Sequence, residues 1–312
     1  MTSPIPDPRS PIPDGVLVVD KTEGPTSHDV VTLARRALGV SRIGHTGTLD
    51  PMATGVLPLV VGRATRLAQF LTASDKTYEA TIAFGRTTDT FDRSGKVVSE
   101  SDRRPAREQL ERVIATFRGT FDQTPPVFSA KNIDGERSYD LARKGKIGIE
   151  TRPKAVAVTV KRLEILAFDE DSARLEMQVT AGFYVRSLAQ DIGAALECGG
   201  VLTALRRTRS GEFGLDGAVP LAEVLQAPRE SLAARLRPLS GLLADLPAVT
   251  LRDAANVAKV RNGVEVLPHD VLAPLPALPP LVRLLGPDGD LVGLAKPAKT
   301  AGSLHGWVVL GP

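Results

Sequence analysis

The chain has 312 residues, 42% hydrophobic and 24% charged, with a formal net charge of +3 and a pI near 9.1. That composition excludes a wholly disordered chain, and no run of about 18 uncharged apolar residues offers a membrane-spanning helix. A single cysteine, Cys198, excludes an internal disulfide; His28, His45, His269 and His305 lack metal-ligand spacing; and no Gly-x-x-x-x-Gly-Lys-Ser/Thr loop marks a nucleotide hydrolase.

At roughly 150 residues per domain the length predicts two domains. The opening MTSPIPDPRSPIPD has neither a basic start nor an apolar stretch, so residues 1–14 are expected as a disordered Pro-rich tail and the protein as cytoplasmic. GVLVVD, from Gly15 to Asp20, reads as a buried strand. Thr26 and Asp29 have capping-box spacing, and Val30, Leu33, Ala34, Ala37 and Leu38 recur at helical spacing before a Gly39 stop. Tyr78 to Phe84 alternates and predicts a strand. Leu110, Val113, Ile114 and Phe117 predict an amphipathic helix ending near Gly119. A long polar stretch, Asp122 to Thr151, comes next. Alternation returns at Val156, Val158 and Val160 and at Leu175, Met177 and Val179, then yields to helical spacing from Val185 to Leu196. From Pro247 onward, short apolar runs separated by proline and Pro-Asp-Gly-Asp predict a small β-rich unit. Strands mixed with helices make the class α+β.

Four segments are unusual enough to carry chemistry. Arg42 to Gly62 is glycine-rich and holds one carboxylate, Asp50, before Pro51. Taken alone, Asp50 reads as a helix N-cap with Pro51 in the first turn. Gly182-Phe183-Tyr184-Val185-Arg186 places an aromatic and an arginine at a strand-to-helix junction. Arg206, Arg207 and Arg209 put three cations within four positions, either a solvated face or a phosphate grip. Ser74-Asp75-Lys76-Thr77-Tyr78 opens a strand, and its tyrosine alone reads as partly buried. Mild basicity permits a nucleic-acid partner without demanding one.

Together these segments resemble one family. GHTGTLDPMATGVLPLVVGRATR is similar to the catalytic motif of the TruB family, the bacterial tRNA pseudouridine-55 synthases. VVDKTEGPTSHDVV, SDKTYEATIAFGRTTDTFDRSG, SAKNIDGERSYDLARKG and GFYVRSLAQDIG resemble its remaining motifs, in order, from about residue 15 to 215. The departures are Thr22 in place of proline, Phe183 where threonine is frequent, and Val201 where several members have histidine.

The resemblance implies a pseudouridine synthase fold: a mixed, mainly antiparallel sheet flanked by helices and loops, with a PUA-like C-terminal domain. Residues 15–246 would form the catalytic domain, 122–152 an insertion that embraces RNA, and 247–312 the PUA-like domain. It implies isomerisation of uridine 55 in the T loop of tRNA, with no cofactor, no metal and no guide RNA, by a protein acting as a monomer away from membranes. Asp50, Tyr78 and Arg186 become the catalytic candidates, and His45, Leu205, Tyr184 and Lys21 the substrate-binding ones. Lys131, Arg137, Arg143, Arg206, Arg207 and Arg209 become candidates for the RNA backbone, the last three and Lys21 also for core-facing contacts. An acting carboxylate must be ionised, and burial opposes that, so a neighbouring guanidinium is required. On this reading, removing residues beyond 246 weakens RNA binding more than chemistry. The competing readings are a non-catalytic tRNA-binding or tRNA-folding protein, a guide-dependent synthase of the dyskerin type, and, last, a glycoside hydrolase, which needs two opposed carboxylates.

Overall fold

The computed structural model describes residues 12–126, 154–273, 277 and 279–311, and the backbone of Asn132–Ile133 and Glu136–Arg137. Residues 1–11 of the tail, Lys131, Arg143 and most of the expected 122–152 insertion lie outside the described residues, as does the side chain of Arg137.

The apolar run at the start forms β1 (Gly15–Lys21). Thr26 caps α1 (Ser27–Leu38): its hydroxyl accepts from the Asp29 amide while the Asp29 carboxylate accepts from the Thr26 amide, and Gly39 ends the helix in the left-handed region. Short β2 (Ile43–His45) and long β3 (Thr54–Val61) come next, then α2 (Ala68–Thr72) and β4 (Lys76–Phe84). Burial along β4 alternates with period 2, as a strand with unlike faces requires. The hairpin β5 (Arg86–Thr88) and β6 (Val97–Glu100) precedes α3 (Arg107–Thr116) and β7 (Gly119–Gln123). The helix expected to end near Gly119 ends at Thr116, and Gly119, at φ 88°, opens β7. β8 (Asn132–Ile133) pairs with β9 (Glu136–Arg137). Then come β10 (Val156–Phe168), β11 (Ser172–Val179), α4 (Val185–Ala195) and β12 (Gly200–Ser210).

Short elements close this region: β13 (Phe213–Gly214), β14 (Val219–Pro220), α5 (Leu221–Gln226), α6 (Arg229–Ala234) and β15 (Arg237–Pro238). The large sheet runs β14-β1-β3-β12-β4-β11-β10-β7, with β2 on β3, β13 on β12 and β15 on β1. Among the described residues its pairings are antiparallel except β1 with β14 and β3 with β12. The C-terminal unit has β16 (Ala248–Thr250), α7 (Ala254–Arg261), β17 (Val282–Leu285), β18 (Leu291–Pro297) and β19 (Leu304–Val309), with its four strands in sequence order. The proline-punctuated apolar runs foretold its last three strands. α7, capped by Asp253, shows little apolar stripe and escaped the pattern.

The large sheet buries its two faces differently. One face carries Leu17, Val19, Leu57, Leu59, Ala80 and Ile82 and packs against Val30, Ala34 and Leu38 of α1 and Leu188 and Ile192 of α4. The other, at β1 and β3, carries Val16, Val18, Val56 and Val60, in one apolar layer with Leu291, Leu294, Val308 and Leu310 of the C-terminal unit. Removing residues beyond 246 would therefore also strip apolar side chains from a core shared with β1 and β3. No helix among the described residues is long and apolar enough to cross a membrane.

Candidate active site

Two strands that part company create the site. β3 and β12 run parallel but pair only at Thr54 with Arg206 and Gly55 with Arg207. Their closeness there depends on glycine: a Cβ on Gly55, at φ 101°, would lie 2.1 Å from the Arg207 carbonyl oxygen. Nearer the start of β12 the neighbour is not β3. The Leu202 amide donates to the Phe91 carbonyl at 3.0 Å, and the Arg93 amide to the Leu202 carbonyl at 2.9 Å. Loop 89–95 thus takes the position β3 vacates, opposite the segment that carries Asp50.

Asp50 begins no helix. The Ala53 amide donates to the Asp50 carbonyl at 3.0 Å, closing a turn that feeds directly into β3. The N-cap reading is thereby corrected: Met-Ala-Thr-Gly after Pro51 extends into a strand. The side chain keeps a third of its surface exposed and receives Arg186 at two points, Nε to Oδ2 at 2.9 Å and Nη2 to Oδ1 at 3.2 Å. Such a fork fixes both the place and the plane of the carboxylate. Arg186, on the first turn of α4, is 6% exposed. Its Nη1 donates to the Thr90 carbonyl at 3.2 Å, and Nε lies 3.8 Å from Oδ2 of a second carboxylate, Asp92. Asp92 is buried, and its Oδ1 accepts from the Thr90 hydroxyl at 2.8 Å and from the Ser94 amide at 2.9 Å.

Buried cations lie under the same loop. Lys21, with no exposed surface, donates to the carbonyls of Thr22, Pro51 and Ala53 at 2.9, 3.2 and 2.7 Å. Burial lowers its ammonium to about 8, against the upward pull of Asp50 and Glu23 and with the Arg207 charge. Lys76, also buried, falls to about 8 for the same first reason, with Arg207 lowering it further and Asp75 opposing. Its ammonium donates to the Thr72 and Ser74 carbonyls, both at 2.5 Å. Arg207 is 1% exposed and donates to the carbonyls of Val56 at 2.7 Å and Gly47 at 3.1 Å.

For Lys21 and Arg207, of the two alternatives of RNA-backbone and core-facing contact, the structure displays the core-facing one. Neither the Lys21 ammonium nor the Arg207 guanidinium reaches the surface, since both are fully enclosed and engaged with main-chain carbonyls. Arg206, next in the chain, points to the opposite face and pairs with Asp20 through two bonds, at 3.1 and 2.8 Å. Arg209 is exposed and donates to the Gly211 carbonyl. Tyr78 stands opposite Arg207 on β12 and Met177 on β11, and Leu205 opposite Ala80, so Tyr78 and Leu205 share a sheet face. Leu205 also lines a cavity of about 300 Å³ with Met52, Glu23 and Arg93. His45, on β2, starts the Asp50 loop, and its Nδ1 accepts from the Gly47 amide at 3.4 Å. Tyr184 immediately precedes α4, where the Gln123 side chain holds its amide and carbonyl at 2.8 and 3.0 Å.

The order of these elements is shared with known proteins. The profile of the "TruB family pseudouridylate synthase (N terminal domain)" matches residues 35–185, and that of the "tRNA pseudouridylate synthase B C-terminal domain" matches 186–244. A tRNA pseudouridine synthase B of Solibacter usitatus is 46% identical over 290 residues, covering 91% of this chain and 95% of that one. The chain belongs to the TruB family. Another relative so named, from Azoarcus sp. strain BH72, is 45% identical over 255 residues, covering 82% of this chain and 84% of its own. Among solved structures, an H/ACA RNP bound to a substrate RNA containing 2′-deoxyuridine superposes with a TM-score of 0.72 at 25% identity, over 96% of this chain and 85% of that one. An archaeal box H/ACA sRNP Nop10–Cbf5 complex gives 0.71 at 25% identity, over 98% and 90%. The mixed α+β sheet is the pseudouridine synthase fold.

Two residues of this TruB-family chain's candidate site escaped the sequence reading. Lys76 shares strand parity with Tyr78, Ala80 and Ile82, so extending the alternation two residues back would have shown it facing inward. Asp92 gave no comparable signal: its burial depends on Leu202, 110 residues later in the chain.

Proposed function

We propose that this TruB-family chain isomerises uridine 55 in the T loop of tRNA to pseudouridine, as a cytoplasmic monomer that needs no guide RNA. Residues 15–246 would carry the chemistry, with 122–152 and the PUA-like 247–312 adding RNA contacts. The observation that supports this best is a third-exposed Asp50 gripped at two points by an almost fully buried Arg186.

The reaction breaks the bond from ribose C1′ to uracil N1 and makes one from C1′ to C5. N1 ends with a proton and C5 loses one, so the product is an isomer and no electrons are exchanged with a partner. An ionised Asp50 opens it at the ribose, by attack at C1′ or by taking the C2′ proton. Arg186 holds that carboxylate in place through a two-point fork. The target base must first leave its stack, at a cost of a few kcal/mol. His45, at the head of the loop, fills the vacated space; Tyr78 stacks on the extruded uracil and Leu205 closes its other side. Asp92 does not supply the second, opposed acid of a glycoside hydrolase, because it is buried behind Arg186 and occupied by Thr90 and Ser94.

The test is an unmodified T-arm hairpin with purified protein and nothing else, read by carbodiimide-blocked primer extension. Product from the native chain and none from Asp50→Asn is expected. Tight binding without product, on both the hairpin and full-length tRNA, would instead favour a binding or folding role.

A further inference from the structure

Arg207 is an unusual residue to enclose. Strand alternation sends it inward while Arg206 faces out, and among the described residues no carboxylate lies within ion-pair distance of it. A buried cation without a counter-ion destabilises a fold, and an apolar side chain of similar volume would fill the space better. What Arg207 gains there is two carbonyls, Gly47 and Val56, one on each side of the segment that carries Asp50. Lys21 takes two more, Pro51 and Ala53, from within that segment. The Arg207 backbone is itself locked against Gly55.

We infer that Arg207 is a positioning residue for pseudouridylation: its guanidinium clamps both ends of the Asp50 loop and so presents the carboxylate to Arg186. The inference rests on Asp50 as the reacting carboxylate. Lysine could keep the charge but not the grip, since an ammonium is a point donor where a guanidinium is a planar fork. A clamp of this kind acts on rate: displacing a reacting group by about 1 Å can cost on the order of 100-fold.

The charge gives a second readout. Arg207 faces Lys21 and Lys76 and holds both down, while Asp50 and Glu23 face Lys21 and Asp75 faces Lys76 with opposite effect. Above about pH 8 Lys21 loses its proton, and its hold on the loop carbonyls loses charge assistance. The result is an alkaline decline in kcat, and removing the Arg207 charge moves that decline to higher pH.

The experiment measures kcat and KM on a T-arm hairpin from about pH 6 to 10 for the native chain, Arg207→Lys, Arg207→Met and Asp50→Asn. Arg207→Met should lower kcat about 100-fold with KM within about twofold, and shift the alkaline decline upward. Arg207→Lys should lower kcat about 10-fold and leave the decline where it was. A raised KM with unchanged kcat would overturn the proposal in favour of a phosphate contact. A lowered kcat in Arg207→Met with an unmoved decline would overturn it in favour of a space-filling role. If Arg207→Met does not fold, Arg207→Lys decides: an unchanged kcat overturns the clamp. Asp50→Asn separates the two levels, because turnover by that variant sinks the assignment of Asp50 itself, whereas its inactivity beside fully active Arg207 variants sinks only the clamp.

Discussion

The two sides of the central sheet handle the same residue types in opposite ways. Beneath the Asp50 loop, Lys21, Lys76, Arg186 and Arg207 are buried and bonded mostly to main-chain carbonyls. On the reverse side, Arg206 meets Asp20, and Arg162 meets Glu164 and Glu176, with water at hand. What differs is solvent. In water, a charged pair rearranges at little cost; enclosed, every donor must be satisfied in one geometry. A tally of charges along the chain therefore cannot show this contrast, whereas burial of like charges around a single loop does.

Four experiments would break or sharpen this contrast. Asp50→Asn should reduce single-turnover pseudouridine formation by about 10²–10⁴-fold while leaving the urea midpoint nearly unchanged, since the side chain is partly exposed. Arg186→Met should destabilise the fold by about 3–5 kcal/mol in urea unfolding, because it leaves the buried Asp92 without its cation; a loss below about 1 kcal/mol would place this pair with the surface ones. The lysines offer a pH test. Both titrate near 8 in the folded chain against 10.5 when exposed, so between those values the unfolded chain binds more protons and stability rises with pH. Urea midpoints at about pH 7.5 and 9.5 should show that rise, and Lys76→Met should flatten it. On the open face, Asp20→Asn or Arg206→Ala should cost less than about 1 kcal/mol, and less again in 1 M salt.

Elements with a strong local signal were legible in the sequence. β1, α1, β4, β11 and α4 all carry their period in their own residues, and the Thr26 capping box and Gly39 stop set the bounds of α1. β12 was not legible, because Leu-Arg-Arg-Thr-Arg looks solvated until β3 and β4 stand on either side of it. The turn at Asp50 was misread for a related reason. Asp-Pro opens helices and tight turns alike, and the residues from Thr54 onward are pinned to β1 and β12 by long-range pairing. Family resemblance supplied the candidate side chains. It left Lys21 and Arg207 between the RNA backbone and the core, and the strand register decides for the core.

The apolar layer joining Val16, Val18, Val56 and Val60 to Leu291, Leu294, Val308 and Leu310 bears on modularity. A module that moves freely between proteins brings its own closed core. Here the last four strands borrow half of one layer from β1 and from β3, the strand into which the Asp50 loop feeds. Exchanging this unit with a relative's would succeed only if those four valines were matched to the newcomer, so the graft boundary lies along the packing and not at the point near residue 247 where the composition changes.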